Sequence, residues 1–145
     1  MKINFIKLNE KAHSPKRATE GAAGADLYAI TQGSITIKPH TTCMIHTGIA
    51  LEIPEGMCGL IFARSGLASK KGLAPANKVG LIDSDYRGEI MVALHNHTDE
   101  DRVIDDGERV AQLVIMPYVA AEYSLCDSLS DTDRGEGGFG STGTK

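Results

Sequence analysis

Apolar and polar residues alternate along much of this chain. Ser34-Ile35-Thr36-Ile37-Lys38 switches with period two, the pattern of a half-buried strand. Residues 3–8, 43–53, 57–63, 89–95, 110–116 and 119–125 are rich in Val, Ile and Leu and also predict strands. Turn formers separate them: Lys38-Pro39, Ile53-Pro54-Glu55-Gly56, Asn96-His97-Thr98-Asp99 and Asp105-Asp106-Gly107. One helix is predicted, capped by Ser65, running from Gly66 to Lys71 and stopped by Gly72. Many short strands joined by turns suggest an all-β sandwich, barrel or jelly-roll-like fold. No internal repeat is present.

The pattern changes after residue 130. Among the last fifteen residues five are Gly and Phe139 is the only large apolar side chain. Such a segment buries too little surface to offset the entropy of ordering it. The division predicted is therefore a β domain over residues 1–130 and an arm over 131–145, mobile when no ligand is bound.

A chain of 145 residues fits one domain. At that size roughly 68–70% of the unfolded surface is buried, enough for a true core. Trp is absent and aromatics make up 5%, so aliphatic side chains must fill it. No apolar run approaches the roughly 20 residues that span a bilayer, and the N-terminus lacks the apolar stretch of a signal peptide. Cys43, Cys58 and Cys126 are odd in number and widely spaced, which fits reduced thiols in a cytoplasmic compartment. A net charge of −4 argues against general binding to nucleic-acid backbones. It leaves room for a small anionic ligand held by local Arg side chains and backbone N–H groups.

Two segments concentrate chemistry. Gly135-Glu136-Gly137-Gly138-Phe139-Gly140 has the glycine spacing of a dinucleotide loop, but no helix can follow, because the sequence stops five residues later. The P-loop alternative lacks its Lys. The physical logic remains: glycines let backbone N–H groups approach phosphate, Ser141 and Thr142 add hydroxyls, and Arg134 adds a forked cation. The bland alternative is a solubilising tail. In Gly80–Gly88, Asp83 and Asp85 stand two apart and on a strand would share a face. They suit a metal, a general base, or simply an acidic turn, and spacing alone does not choose. Ala63-Arg64-Ser65-Gly66 sits at a strand–helix junction, where N–H groups and an Arg favour an anion. No elbow motif surrounds Ser65, so it reads as a donor to phosphate or a plain cap rather than a nucleophile. His95 and His97 lack a third ligand at metal spacing and read as a solvated pair.

Taken together, five segments resemble the five motifs of trimeric dUTP pyrophosphatases, in that family's order. They are Ala23-Gly24-Ala25-Asp26-Leu27, Arg64-Ser65-Gly66-Leu67-Ala68 on to Gly72, Gly80–Gly88, Gly107-Glu108-Arg109-Val110-Ala111-Gln112-Leu113, and Arg134–Gly143. The resemblance implies a distorted jelly-roll-like β-clip with one short helix and a flexible C-terminal arm. It implies hydrolysis of dUTP to dUMP and pyrophosphate, which supplies dUMP for thymidylate synthesis and keeps uracil out of DNA. Asp83 is similar to the general base that activates the water attacking the α-phosphorus. Asp26 is similar to the acid that holds Mg²⁺ through water. Ser65, Gly66 and Gln112 match phosphate-binding positions, Arg64 and Arg134 match cations on the outer phosphates, and Arg109 is expected to be partly structural. The stretch Asn77–Asp83, with Gly80 and Ile82, is expected to read uracil. Tyr86 is expected under the deoxyribose, and Phe139 over the base, with Gly140 and Ser141 beside it as the arm closes. A homotrimer with sites shared between subunits is implied, with neither nucleic acid nor membrane as partner. The dCTP deaminases share this template but use a Glu as deaminating acid/base and a different motif after the Arg-Ser pair, where this sequence has Asp83 and Arg64-Ser65-Gly66. A non-catalytic nucleotide binder would not need Asp83 at all.

Overall fold

A computed structural model describes residues 1–138. Twelve strands and one helix follow in the order β1 (Asn4–Lys7), β2 (Lys16–Arg17), β3 (Ala25–Tyr28), β4 (Ser34–Ile37), β5 (Thr42–His46), β6 (Ile49–Glu52), β7 (Met57–Phe62), α1 (Ser65–Lys71), β8 (Leu73–Pro75), β9 (Gly80–Ile82), β10 (Met91–Asn96), β11 (Arg102–Asp105) and β12 (Arg109–Pro117). Every strand pair is antiparallel. The largest sheet has the order β2-β3-β12-β7-β9 and carries most of the predicted site residues. A second sheet, β5-β10-β8, and two ribbons, β1-β6 and β11-β4, complete the molecule.

The core is aliphatic, as the lack of Trp requires. Leu27, Ile37, Ile45, Ile49, Ile53, Leu73, Ile90, Leu94, Ile104 and Val110 are all at most 2% exposed. They come from the inward positions of strands such as β10, where Val92, Leu94 and Asn96 point in and Met91 points out. The buried Asn96 costs little because its amide is fully used. Its Nδ2 donates to the Ile37 and Glu100 carbonyls, and its Oδ1 accepts from the Thr98 N–H and hydroxyl.

Four sequence readings need correction. The run 43–53 is not one strand: it breaks at Thr47-Gly48 into β5 and β6. Gly48 has φ +66, and a Cβ there would lie 2.2 Å from Ile30 Cδ1, so the chain turns where only Gly fits. The segment 119–125 forms no strand, and Val119, Tyr123 and Leu125 are almost wholly exposed. β-propensity yields a strand only when the segment pairs with a partner edge, and among the described residues this segment pairs with none. Ser65 does not cap α1. Arg64 holds the cap position, without a side-chain bond, and Ser65 is the first helical residue. The Gly72 stop is correct: it is left-handed at φ 64, and its N–H reaches the Ala68 carbonyl. Finally, Asp83 and Asp85 lie in the turn past β9 rather than on a strand, so the period-two argument does not apply to them.

Candidate active site

The predicted residues gather into two clusters rather than one. The first is built on β3, β12 and the corner between β7 and α1. The register sets Asp26 opposite Gln112, and Gln112 opposite Phe62, two residues before Arg64. A bulge in β12 between Arg109 and Ala111 shifts the alternation by one residue. Arg109 and Gln112, three apart, therefore reach the same face. Arg64 Nε donates to Asp26 Oδ1 at 2.9 Å, Gln112 Nε2 to the same oxygen at 3.3 Å, and Arg109 Nη1 to Oδ2 at 3.2 Å. The Asp26 residue is only 2% exposed, so these donors replace the water it has lost. Gly24 keeps this packing possible, since a Cβ there would sit 3.1 Å from Gln112 Cβ.

Two guanidinium groups around one carboxylate leave the cluster one positive charge in excess. Arg64 and Arg109 are also partly exposed, so that charge faces solvent. Ser65 and Gly66, both exposed, open α1 beside it with backbone N–H groups that have no partner in the preceding turn. Chemically this is a receptor for an anion.

The second cluster follows the turn between β8 and β9, two strands that belong to different sheets and so form no hairpin. That turn is tight: Lys78 has φ 66 and its N–H donates to the Pro75 carbonyl at 3.0 Å, while the Val79 N–H reaches the Asn77 carbonyl at 2.7 Å. Asn77 is exposed and Gly80 is buried, with Ile61 and the Asn77 amide pressing on the space a Cβ would take. Ile82 ends β9, and the exposed Asp83 follows. Asp83 lines a hollow of about 190 Å³ with Met44, Leu81, Tyr86 and Met91. It also lines a wider one of about 570 Å³ with Glu55, Asp85, Arg87 and Tyr118. The Tyr86 hydroxyl donates to the Glu89 carbonyl at 3.1 Å.

Glu89 and His46, 43 residues apart, escaped the sequence reading, and no local signal marks them. Glu89 accepts from the Gly48 N–H and bonds His46 Nδ1, each at 2.8 Å. Partial burial pushes its carboxyl up, but the His46 bond, the Gly48 N–H and the His46 charge together hold it below its ordinary value.

Asp26 and Asp83 do not meet within one chain. They lie on β3 and at the end of β9, with β12 and β7 between. Three strand spacings of about 4.8 Å and a register offset of about four residues put them roughly 20 Å apart. Arg134 lies in a local turn, where its Nε donates to the Gly137 carbonyl at 2.7 Å. Phe139, Gly140 and Ser141 lie outside the described residues. The rings of His95 and His97 meet edge to face at 4.5 Å. Partial burial, then His95, Lys78 and His40, push His97 below its ordinary pKa. Among the described residues no group of three or more His, Cys, Asp or Glu side chains is placed to hold a metal.

Comparison with known proteins adds three findings. Residues 10–143 match the family model of the dUTPases. The chain is 51% identical over 144 residues to a deoxyuridine 5'-triphosphate nucleotidohydrolase of Desulfitobacterium hafniense, covering 99% of this chain and 95% of that one. It is 48% identical over 145 residues to the protein of the same name from Hydrogenobaculum, covering both chains completely. Its backbone is similar to the dUTPase of Staphylococcus bacteriophage 80alpha bound to dUPNHPP, with a TM-score of 0.89, 29% identity and 98% of each chain covered. A dUTPase mutant from phage phi11 of S. aureus, described for its coordination of a structural Mg(II) ion, aligns at a TM-score of 0.77 and 27% identity over 88% of this chain and 98% of that one.

Proposed function

The chain belongs to the dUTPase family, and from that premise we propose that it hydrolyses dUTP to dUMP and pyrophosphate in sites shared between the subunits of a homotrimer. The observation that carries the proposal is the separation of the two clusters. One has a positive anion receptor without a base; the other has an exposed carboxylate just past the tight turn between β8 and β9. Each supplies what the other lacks, and roughly 20 Å keeps them apart within a chain. Symmetric assembly brings the Asp83 face of one subunit to the Asp26–Arg64 face of the next.

In this site Asp83 accepts a proton from a water molecule. The water oxygen forms a bond to the α-phosphorus in line, the bond from that phosphorus to the bridging oxygen breaks, and pyrophosphate departs with the electron pair. Arg64, Ser65, Gly66 and Gln112 bind and orient the phosphates from the neighbouring face. Uracil is read by the stretch from Asn77 to Asp83, with Gly80 and Ile82 presenting backbone groups. A slot fitted to uracil leaves no room for the 5-methyl of thymine. With cytosine it leaves a buried group unpaired, at a cost of about 1–3 kcal/mol. Tyr86 packs beneath the deoxyribose and crowds out a 2′-hydroxyl. The arm 131–145 closes over the site as lids do, with Arg134, Ser141 and Gly140 at the phosphates and Phe139 over the base.

The residues present fit Mg²⁺ held through water. Asp26 accepts three hydrogen bonds, two at Oδ1 and one at Oδ2, which leaves Oδ2 able to accept from a hydrated ion. A hydrated Mg²⁺ needs only one or two carboxylates, since substrate phosphates supply its other ligands. When bound, the ion neutralises charge on the triphosphate. The cysteines are free, in keeping with a cytoplasmic setting, and among the described residues no helix is long and apolar enough to cross a membrane.

A pyrophosphate-release assay with dUTP, dTTP, dCTP and UTP, with and without Mg²⁺, tests the reading. Release is expected from dUTP with the metal. Ammonia release from dCTP, or tight dUTP binding without turnover, would overturn it.

A further inference from the structure

Tyr86 is held in place by the backbone that follows it. Its hydroxyl donates to the Glu89 carbonyl, and its ring lies over Gly88 so closely that a Cβ there would come within 2.3 Å of the Tyr86 oxygen. The position of the ring is thus set by residues 88 and 89. The loop before them is held by local bonds: the Tyr86 N–H to the Asp83 carbonyl, and Arg87 Nη1 to the carbonyls of Ser84 and Tyr86. Glu89 is where the loop is tied to the body. Both of its carboxylate oxygens are engaged at the β5–β6 corner, one by the Gly48 N–H and one by His46. That corner is rigid, because Gly48 is left-handed and packed against Ile30 and Ala12. Beyond Glu89, the Ile90 N–H donates to the Ile49 carbonyl, and the Thr47 hydroxyl donates to the Ile90 carbonyl.

We propose that Glu89 is a positioning residue for sugar selection: clamped by His46 and the Gly48 N–H, it fixes the carbonyl that holds Tyr86 and so sets how closely the ring packs against the deoxyribose. This rests on the reading of Tyr86 as the sugar contact. Glu89 acts through Tyr86, and its loss loosens the ring rather than removing a group that touches phosphate or water. The effect therefore falls on the preference for dUTP over UTP and on KM, more than on kcat for dUTP.

The test measures kcat and KM for dUTP and UTP on the full-length enzyme carrying Glu89→Ala, Glu89→Gln, Tyr86→Phe, Tyr86→Ala or Glu89→Ala with Tyr86→Phe. Loss of a clamp of this kind is expected to lower the dUTP preference about tenfold in Glu89→Ala. Glu89→Gln keeps an acceptor for Gly48 and is expected to lose less. In the Tyr86→Phe background, where the hydroxyl is already gone, Glu89→Ala is expected to add nothing. A merely structural Glu89 would lower thermal stability and leave the preference unchanged, or would multiply with Tyr86→Phe; either result overturns the proposal. If Tyr86→Ala itself leaves the preference intact, the sugar reading of Tyr86 fails and this proposal with it. If Tyr86→Ala lowers the preference while the Glu89 variants do not, this proposal alone fails. Should Glu89→Ala not fold, Glu89→Gln and His46→Ala decide by the same readout.

Discussion

Two aspartates show how surroundings divide labour between identical side chains. Asp26 is sealed under Arg64, Arg109 and Gln112, whereas Asp83 stands exposed at the end of β9. The oxygens of Asp26 are occupied by donors while those of Asp83 face solvent, which supports the proposed assignment of the base to Asp83. Asp83→Asn is expected to lower kcat by about 10²–10⁴-fold with dUTP binding retained. Steady-state kinetics and equilibrium binding check this, and undiminished turnover would refute it. Asp26→Asn is expected to act on the fold as well, because it leaves two partly buried guanidinium groups uncompensated. Because those cations still reach solvent, the cost is about 1–2 kcal/mol, which a thermal or urea melt reads as a lowered midpoint; an unchanged midpoint would count against the cluster as a structural clamp. Asp26, Asp83, Arg64 and Gln112 were all legible as candidates in the sequence, since they sit in the ordered motifs. Glu89 and His46 were not, because a bond across 43 residues leaves no trace in local spacing.

At the scale of elements, the apolar pattern found seven of the described strands and missed five. Those at 16–17, 25–28, 73–75, 80–82 and 102–105 are short and carry no clean apolar–polar alternation, unlike Ser34–Ile37, which is the same length as the longest of them. Glycine proved the better guide to where elements stop. Gly72 ends α1 in the left-handed region, and an added Cβ would meet Thr98 Cγ2 at 2.3 Å. Gly72→Ala is therefore expected to destabilise by at least about 1–2 kcal/mol, read as a lower melting temperature with the circular-dichroism spectrum retained. The arm makes the opposite forecast. Residues 131–136 are fully on the surface, so removing 134–145 is expected to abolish turnover while moving the melting temperature of the ligand-free protein little. A large loss of stability in the truncated chain would show that the arm is part of the body and not a separate lid.

Across the whole molecule, the important fact is a distance. The proposed phosphate receptor on β3 and the proposed base at the end of β9 stand three strands apart in one five-stranded sheet. If the site is shared, activity depends on assembly as well as on folding. Specific activity is expected to fall on dilution as light scattering reports loss of a particle of three chains, and mixing inactive Asp83→Asn with inactive Arg64→Ala subunits is expected to restore part of the activity. A fully active single chain, or mixtures that stay dead, would defeat the shared site. The exposed Val119, Tyr123 and Leu125 belong to the same question, as strand formers left unpaired among the described residues.

The sequence alone determined which side chains are available and which cannot be replaced: the aliphatic core, the glycines at forced turns, the Asp, Arg and Gln of the ordered motifs, and through them the family. These are local properties, written in residue type and spacing. Tertiary structure decided who meets whom. It placed Gln112 beside Asp26 through strand register, brought Arg109 to the same face through a one-residue bulge, tied Glu89 to His46, and set Asp83 three strands from Asp26. Register and bulge are set by packing between segments far apart in the chain, and no local pattern encodes a contact whose partner lies elsewhere.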